Sequence, residues 1–188
     1  MDDEMKKAAD ELESVLDRFF EARATVLDAV ASAVAERLRA GGKVLVFGNG
    51  GSAAEAQHFA AELVNGLARR DAPPLAAIAL TADTSALTAI ANDRGVAEIF
   101  SRQIEALGRP GDVALALTTS GTSPDVLEAL GTARRLGLVT VALTGERAGE
   151  IAPLADLLID VPSGSTPRIQ EAHLFLLHGL AEKLGERA

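Results

Sequence analysis

Val44-Leu45-Val46-Phe47, followed directly by Gly48-Asn49-Gly50-Gly51-Ser52, is a short apolar run closed by glycines, with a helical pattern behind it. Such a run, with no polar alternation, suits a strand buried on both faces of a parallel sheet. Three runs of the same kind follow, Ala77 to Leu80, Val113 to Leu117 and Thr140 to Leu143, and a weaker one spans Leu157 to Val161. Each of the first four is expected to lead into a helical stretch. That alternation predicts right-handed βαβ units, and so an α/β fold with a parallel sheet covered by helices on both faces. Ligands of such sheets bind beyond the carboxyl ends of the strands, so the loops after each strand carry the function.

Upstream, residues 1 to 40 read as helix. Leu12, Val15, Leu16, Phe19 and Phe20 recur at helical spacing, and Val26, Leu27, Val30, Val34 and Leu38 repeat it, with a bend expected near residues 20 to 24. Gly41-Gly42 ends this region. A last helix is expected from about Pro167 to Lys183. No repeat, low-complexity tract or linker divides the 188 residues. They read as one domain over 1–188, a helical extension over 1–40 joined to an α/β core over 41–188.

Hydrophobic residues make up 48% of the chain but aromatics only 3%, with no Trp or Tyr, so the core must be aliphatic. The absence of cysteine excludes disulfides and thiolate metal sites, and fits a reducing, cytoplasmic setting. Met1-Asp2-Asp3-Glu4 is acidic and lacks the basic and apolar regions of a signal peptide. No apolar run reaches the roughly 18 residues of a membrane span. With a net charge of −9 and only Arg69-Arg70 and Arg134-Arg135 as near-clusters, nucleic-acid binding is disfavoured. An anionic small ligand would be held by backbone N–H groups, hydroxyls and helix ends.

Two loops fit that description. Gly48 to Ser52 lets the backbone approach an anion at a helix N-terminus. It also matches G-x-G-x-x-A through Gly48, Gly50 and Ala53, but the acidic residue a dinucleotide site needs after the second strand is not clearly there. The other loop, Thr118-Thr119-Ser120-Gly121-Thr122-Ser123, places five hydroxyls in six residues before Pro124 and Asp125 open a helix. Simple capping would use one hydroxyl; five suggest a phosphate cradle. No Gly-Lys-Ser/Thr follows, which excludes a P-loop.

Among three histidines, His58 stands four residues before Glu62 on one helical face. Glu171 and His178 are seven apart on the last helix, with Gln170 beside them and His173 between. A carboxylate and an imidazole near a phosphate cradle could move a proton between adjacent sugar carbons. The same groups could ligate a divalent metal. Equally, His58–Glu62 could be a surface pair and His178 a satisfied core histidine.

Gly48 to Leu63, Leu80-Thr-Ala-Asp83 to Asn92-Asp93, Thr119 to Pro124, and Arg168-Ile-Gln170-Glu171-Ala-His173 occur in an order that resembles the sugar isomerase (SIS) domain, most closely the phosphoheptose isomerases, over roughly residues 10 to 185. The resemblance implies a flavodoxin-like three-layer sandwich with a five-stranded parallel sheet, and a homotetramer. It implies isomerisation of sedoheptulose 7-phosphate to D-glycero-D-manno-heptose 7-phosphate through an enediol. By the same resemblance Ser52, Thr118, Thr119, Ser120 and Ser123 would hold the phosphate beside Gly50 and Gly51, and Asn49 and Asp93 would contact the sugar. Glu62 would be the base and His178 its acid/base partner. His58, Glu62, Gln170 and His178 match positions that hold zinc in some members, one ion per subunit. Gln170 and His178 are separated by about 12 Å of helix rise, which places the sites at subunit interfaces.

Two departures stand out. Where many relatives carry Gly-Arg-Phe or Gly-Arg-Tyr, this chain has Asn65-Gly66-Leu67 with Arg69 and Arg70 beyond, so Arg69 is the candidate replacement. Thr122 stands where asparagine is frequent. A rival branch of similar proteins is non-catalytic and binds the replication initiator DnaA as tetramers. It shares Ser52 to His58 and Ala91-Asn92-Asp93-Arg94 but lacks counterparts of Ser120 and His178. A third reading is an isomerase of another phosphorylated ketose.

Overall fold

The computed structural model describes residues 2–66 and 73–188. Two helices, α1 (Asp2–Arg23) and α2 (Val26–Arg39), precede β1 (Val44–Gly48), α3 (Gly51–Asn65) and β2 (Ala77–Ala79). Then come α4 (Thr84–Arg94), α5 (Ser101–Leu107), β3 (Val113–Leu117), α6 (Pro124–Arg135), β4 (Val139–Thr144), β5 (Leu157–Asp160) and α7 (Thr166–Arg187). The five strands are parallel in the order β2-β1-β3-β4-β5, so chain direction across the sheet reverses between β1 and β3.

The continuous apolar strands divide their side chains by the two-residue pleat. Val44 and Val46 of β1 join Leu115 and Val141 in a layer filled by Phe19, Val30, Phe59 and Leu177 from α1, α2, α3 and α7. Leu45 and Phe47 join Ala114 and Ala142 in the opposite layer, filled by Ile104, Val126 and Leu130 from α5 and α6. The small alanines of β3 and β4 let α6 pack against both strands, and β1 and β3 are buried along their whole length.

Several expectations are corrected. The bend between the first helices lies at Ala24-Thr25, at the end of the expected span. No α-helix lies between β4 and β5. Gly145, Gly149 and Pro153 interrupt that segment, which forms only a 3₁₀ turn at Ala152–Leu154. Gly145 is required there, because a Cβ would stand 2.8 Å from the Thr119 carbonyl oxygen and 3.0 Å from that of Ser163. The helical stretch after β2 is split at Gly95, whose φ of 99° suits glycine alone. The last helix extends to Arg187. Arg69 and Arg70 lie outside the described residues.

Candidate active site

Both suspected loops lie at the carboxyl end of the sheet, on either side of the reversal between β1 and β3. Gly48 brings β1 against β3 so closely that a Cβ would meet the Leu117 carbonyl at 2.5 Å. Gly50 turns the chain into α3 with φ 55°. Gly51, the first residue of α3, abuts the Gln170 side-chain amide, with only 2.5 Å between a built Cβ and Nε2.

Across the crevice, Thr118 Oγ1 accepts from the Gly121 N–H at 3.3 Å, and Ser120 Oγ accepts from the Thr122 N–H at 3.3 Å. These bonds shape the hydroxyl loop. Ser123 is the N-cap of α6, yet its side chain makes no capping bond, so its hydroxyl is free for a ligand. Asn49, Ser52, Leu117, Thr118, Thr119, Ser120, Ser123 and Gln170 enclose a cavity of 70 Å³. With the N-termini of α3 and α6 converging on it, the cavity suits an anion. Thr119 and Ser120 also border a larger 360 Å³ cleft lined by Glu146 and Arg147. Arg147 is a cation beside the cradle that the sequence did not single out.

One face of α3 runs down α7 from this cavity. His58 Nε2 and His178 Nε2 stand 2.7 Å apart, with ring centroids 5.0 Å apart and the planes at 75°. Glu62 Oε1 lies 3.7 Å from His58 Nε2, its side chain only 19% exposed. At 2.7 Å one imidazole donates an N–H and the other accepts it. His178 is therefore not the core histidine. That role belongs to His173, wholly buried, whose Nε2–H donates to the Thr144 carbonyl at 3.2 Å. Burial holds the His173 imidazole down to about 4, with the bond to Thr144 opposing.

Not every expected residue converges. Gln170 lines the cavity, about 12 Å of helix rise from His178, so in one chain it does not join His58, Glu62 and His178. Asp93 sits exposed on α4, bonded to Asn92 at 2.8 Å, and lines none of the cavities described above. Glu171 pairs with Arg168, which also bonds the Ala8 carbonyl of α1. Among the described residues no three His, Cys, Asp or Glu side chains form a preformed metal cluster. His58, Glu62 and His178 still supply a suitable donor type. Two metal–nitrogen bonds would need the imidazoles about 3.3 Å apart, a small opening from the observed contact.

Two buried carboxyls escaped the sequence reading. Glu55, one turn beyond Ser52 on α3, has an unpartnered Oε2, and burial pushes its carboxyl up to about 7, with the Ser52 hydroxyl pulling the other way. Asp125, in the first turn of α6, accepts from Asn49 Nδ2 at 3.1 Å.

The sequence pattern of the SIS domain matches residues 9–145. The chain belongs to the SIS domain family. It is 53% identical over 164 residues to the phosphoheptose isomerase of Desulfovibrio desulfuricans, covering 87% of this chain and 78% of that one. With the phosphoheptose isomerase of Aquifex aeolicus it shares 50% identity over 184 residues, 98% and 96% of the two chains. The structure of phosphoheptose isomerase GmhA from Neisseria gonorrhoeae superposes with a TM-score of 0.92 at 40% identity, covering 98% of each chain. Within the SIS domain family, then, its kin are enzymes, and the all-parallel five-stranded fold is theirs. No described helix is long and apolar enough to cross a membrane.

Proposed function

We propose that this chain is a cytoplasmic aldose–ketose isomerase that converts sedoheptulose 7-phosphate to D-glycero-D-manno-heptose 7-phosphate through an enediol. The observation that carries this reading is the pairing of an anion cradle with a hydrogen-bonded His58–His178 contact beside Glu62, along one helical seam. Gly51 to His58 is about 10 Å of helix rise, a separation that suits a long, open-chain phosphosugar rather than a triose.

The phosphate sits among Ser52, Thr118, Thr119, Ser120 and Ser123, whose hydroxyls and adjacent backbone N–H groups all donate. With the ring open, Glu62 takes the proton from C1 while the His58–His178 pair donates one to the C2 carbonyl oxygen, giving the enediol. The pair is restored by the O1 proton as the aldehyde forms, and Glu62 returns its proton to C2. Hydrogen atoms balance, and no redox cofactor is involved. A zinc ion, one per subunit, would be held by His58, Glu62 and His178, and would supply polarisation of the carbonyl oxygen.

The same reading makes the protein a homotetramer with sites at subunit interfaces. It is supported by Gln170, which lies about 12 Å of helix rise from His178 within one chain, and by Asp93, which lines neither of the cavities described above in its own chain. It is supported too by Phe20 and Phe175, which pack edge to face at 6.3 Å yet remain 39% and 51% exposed. A second copy would cover that patch. Nucleic acid and membrane are not partners in this reading.

Proton NMR of sedoheptulose 7-phosphate incubated with the purified protein tests the proposal. Aldose signals support it; an unchanged ketose that nevertheless binds would favour the non-catalytic initiator-binding branch or a different ketose.

A further inference from the structure

The Asn49–Asp125 bond spans the crevice where the strand order reverses. Asn49 follows β1 and lines the 70 Å³ cavity. Asp125 comes from the opposite side, after β3, is 5% exposed and does not line that cavity. Asn49 Nδ2 donates to Asp125 Oδ1 at 3.1 Å, while Oδ2 is buried without a partner.

A carboxylate only accepts hydrogen bonds. Asn49 must therefore turn its amino group to Asp125, and the planar amide then carries its carbonyl oxygen on the other edge. Without Asp125 either edge could face the ligand, because the two are nearly equal in shape. The distinction matters in this cavity. Its hydroxyls and backbone N–H groups are donors, which suit phosphate oxygens, whereas an amide oxygen repels them and suits a hydroxyl. The N-terminal turn of α6 also favours an acidic side chain at this position.

We propose that Asp125 is a positioning residue that fixes the Asn49 amide so that Asn49 Oδ1 accepts a hydroxyl of the bound sugar, separating recognition of the sugar from recognition of its phosphate. This rests on the phosphosugar reading above. Asp125 acts wholly through Asn49.

Calorimetric binding of sedoheptulose 7-phosphate and of inorganic phosphate tests it, with Asp125→Asn, Asn49→Ala and the double variant, and thermal unfolding read alongside. Asp125→Asn should weaken the ketose phosphate about tenfold, the worth of one hydrogen bond, and inorganic phosphate less than about twofold. The KM should rise by a similar factor while kcat falls less. Asn49→Ala should show the same selective loss, and adding Asp125→Asn to it should cost nothing more. Equal losses for both ligands, an undiminished effect of Asp125→Asn in the Asn49→Ala background, or no loss for the ketose phosphate would overturn the proposal. The selective pattern in binding without any aldose formed would instead overturn the isomerase reading and leave the role of Asp125 standing.

Discussion

His58 and His178 meet Nε2 to Nε2 at 2.7 Å across the seam of α3 and α7, although 120 residues separate them in the chain. The hydrogen bond ties the two helices that also line the anion cavity through Ser52 and Gln170. Replacing His178 by Ala should cut turnover by about 10²- to 10⁴-fold, the usual worth of a positioned proton-transfer group. Stability should change little, since His178 is only partly buried. Comparable kcat with a lowered melting temperature would mean the pair is structural.

Gly51→Ala probes the cradle without touching a reacting group. The added methyl would collide with the Gln170 amide, a flexible side-chain end, so Gln170 must leave the cavity. Ketose phosphate affinity should fall about tenfold, with a stability cost of about 1 kcal/mol. Calorimetry beside thermal unfolding distinguishes this from simple misfolding.

Glu55 gives the fold a defined pH dependence. Its carboxyl titrates near 7 in the folded chain against 4.5 when exposed. Between those values the folded chain holds a proton the unfolded chain has released, so stability is full below pH 4.5 and falls as pH rises towards 7. The shift corresponds to at most about 3 kcal/mol. The unfolding free energy of Glu55→Gln relative to wild type should therefore climb over that window and then level off. A difference independent of pH in urea titrations would contradict it.

His173 acts in the opposite direction. It titrates near 4 when folded against 6.5 when exposed, so the unfolded chain takes up a proton first. Stability is full above pH 6.5 and is lost as pH falls towards 4. His173→Gln, which keeps a donor for the Thr144 carbonyl, should lose less stability than wild type between pH 7 and 4. Parallel acid profiles would show that His173 is not responsible.

The strands were legible because β1 and β3 are apolar on both faces and β4 is so but for Thr140 and Thr144, short runs set off by glycines or hydroxyl-rich loops that local sequence carries in full. The segment after β4 misled because its polar, charged residues resemble a helix, while Gly145 matters only through its close approach to Ile169 and the Thr119 and Ser163 carbonyls. The loops of the site could be read from their glycines and hydroxyls. Glu55 and Asp125 could not, since each is an ordinary acidic residue in a helical pattern until the sheet buries it. His173 and His178 share one helix, and only its docking decides which faces β4 and which faces α3.

The most direct test of the central claim is turnover of sedoheptulose 7-phosphate by the wild type, Glu62→Gln and His178→Ala proteins, followed by proton NMR with and without added zinc. The account predicts aldose from the wild type, its near-complete loss in both variants, and retained binding of the ketose phosphate by each. Turnover that survives both substitutions would contradict the assignment of proton transfer to the α3–α7 seam.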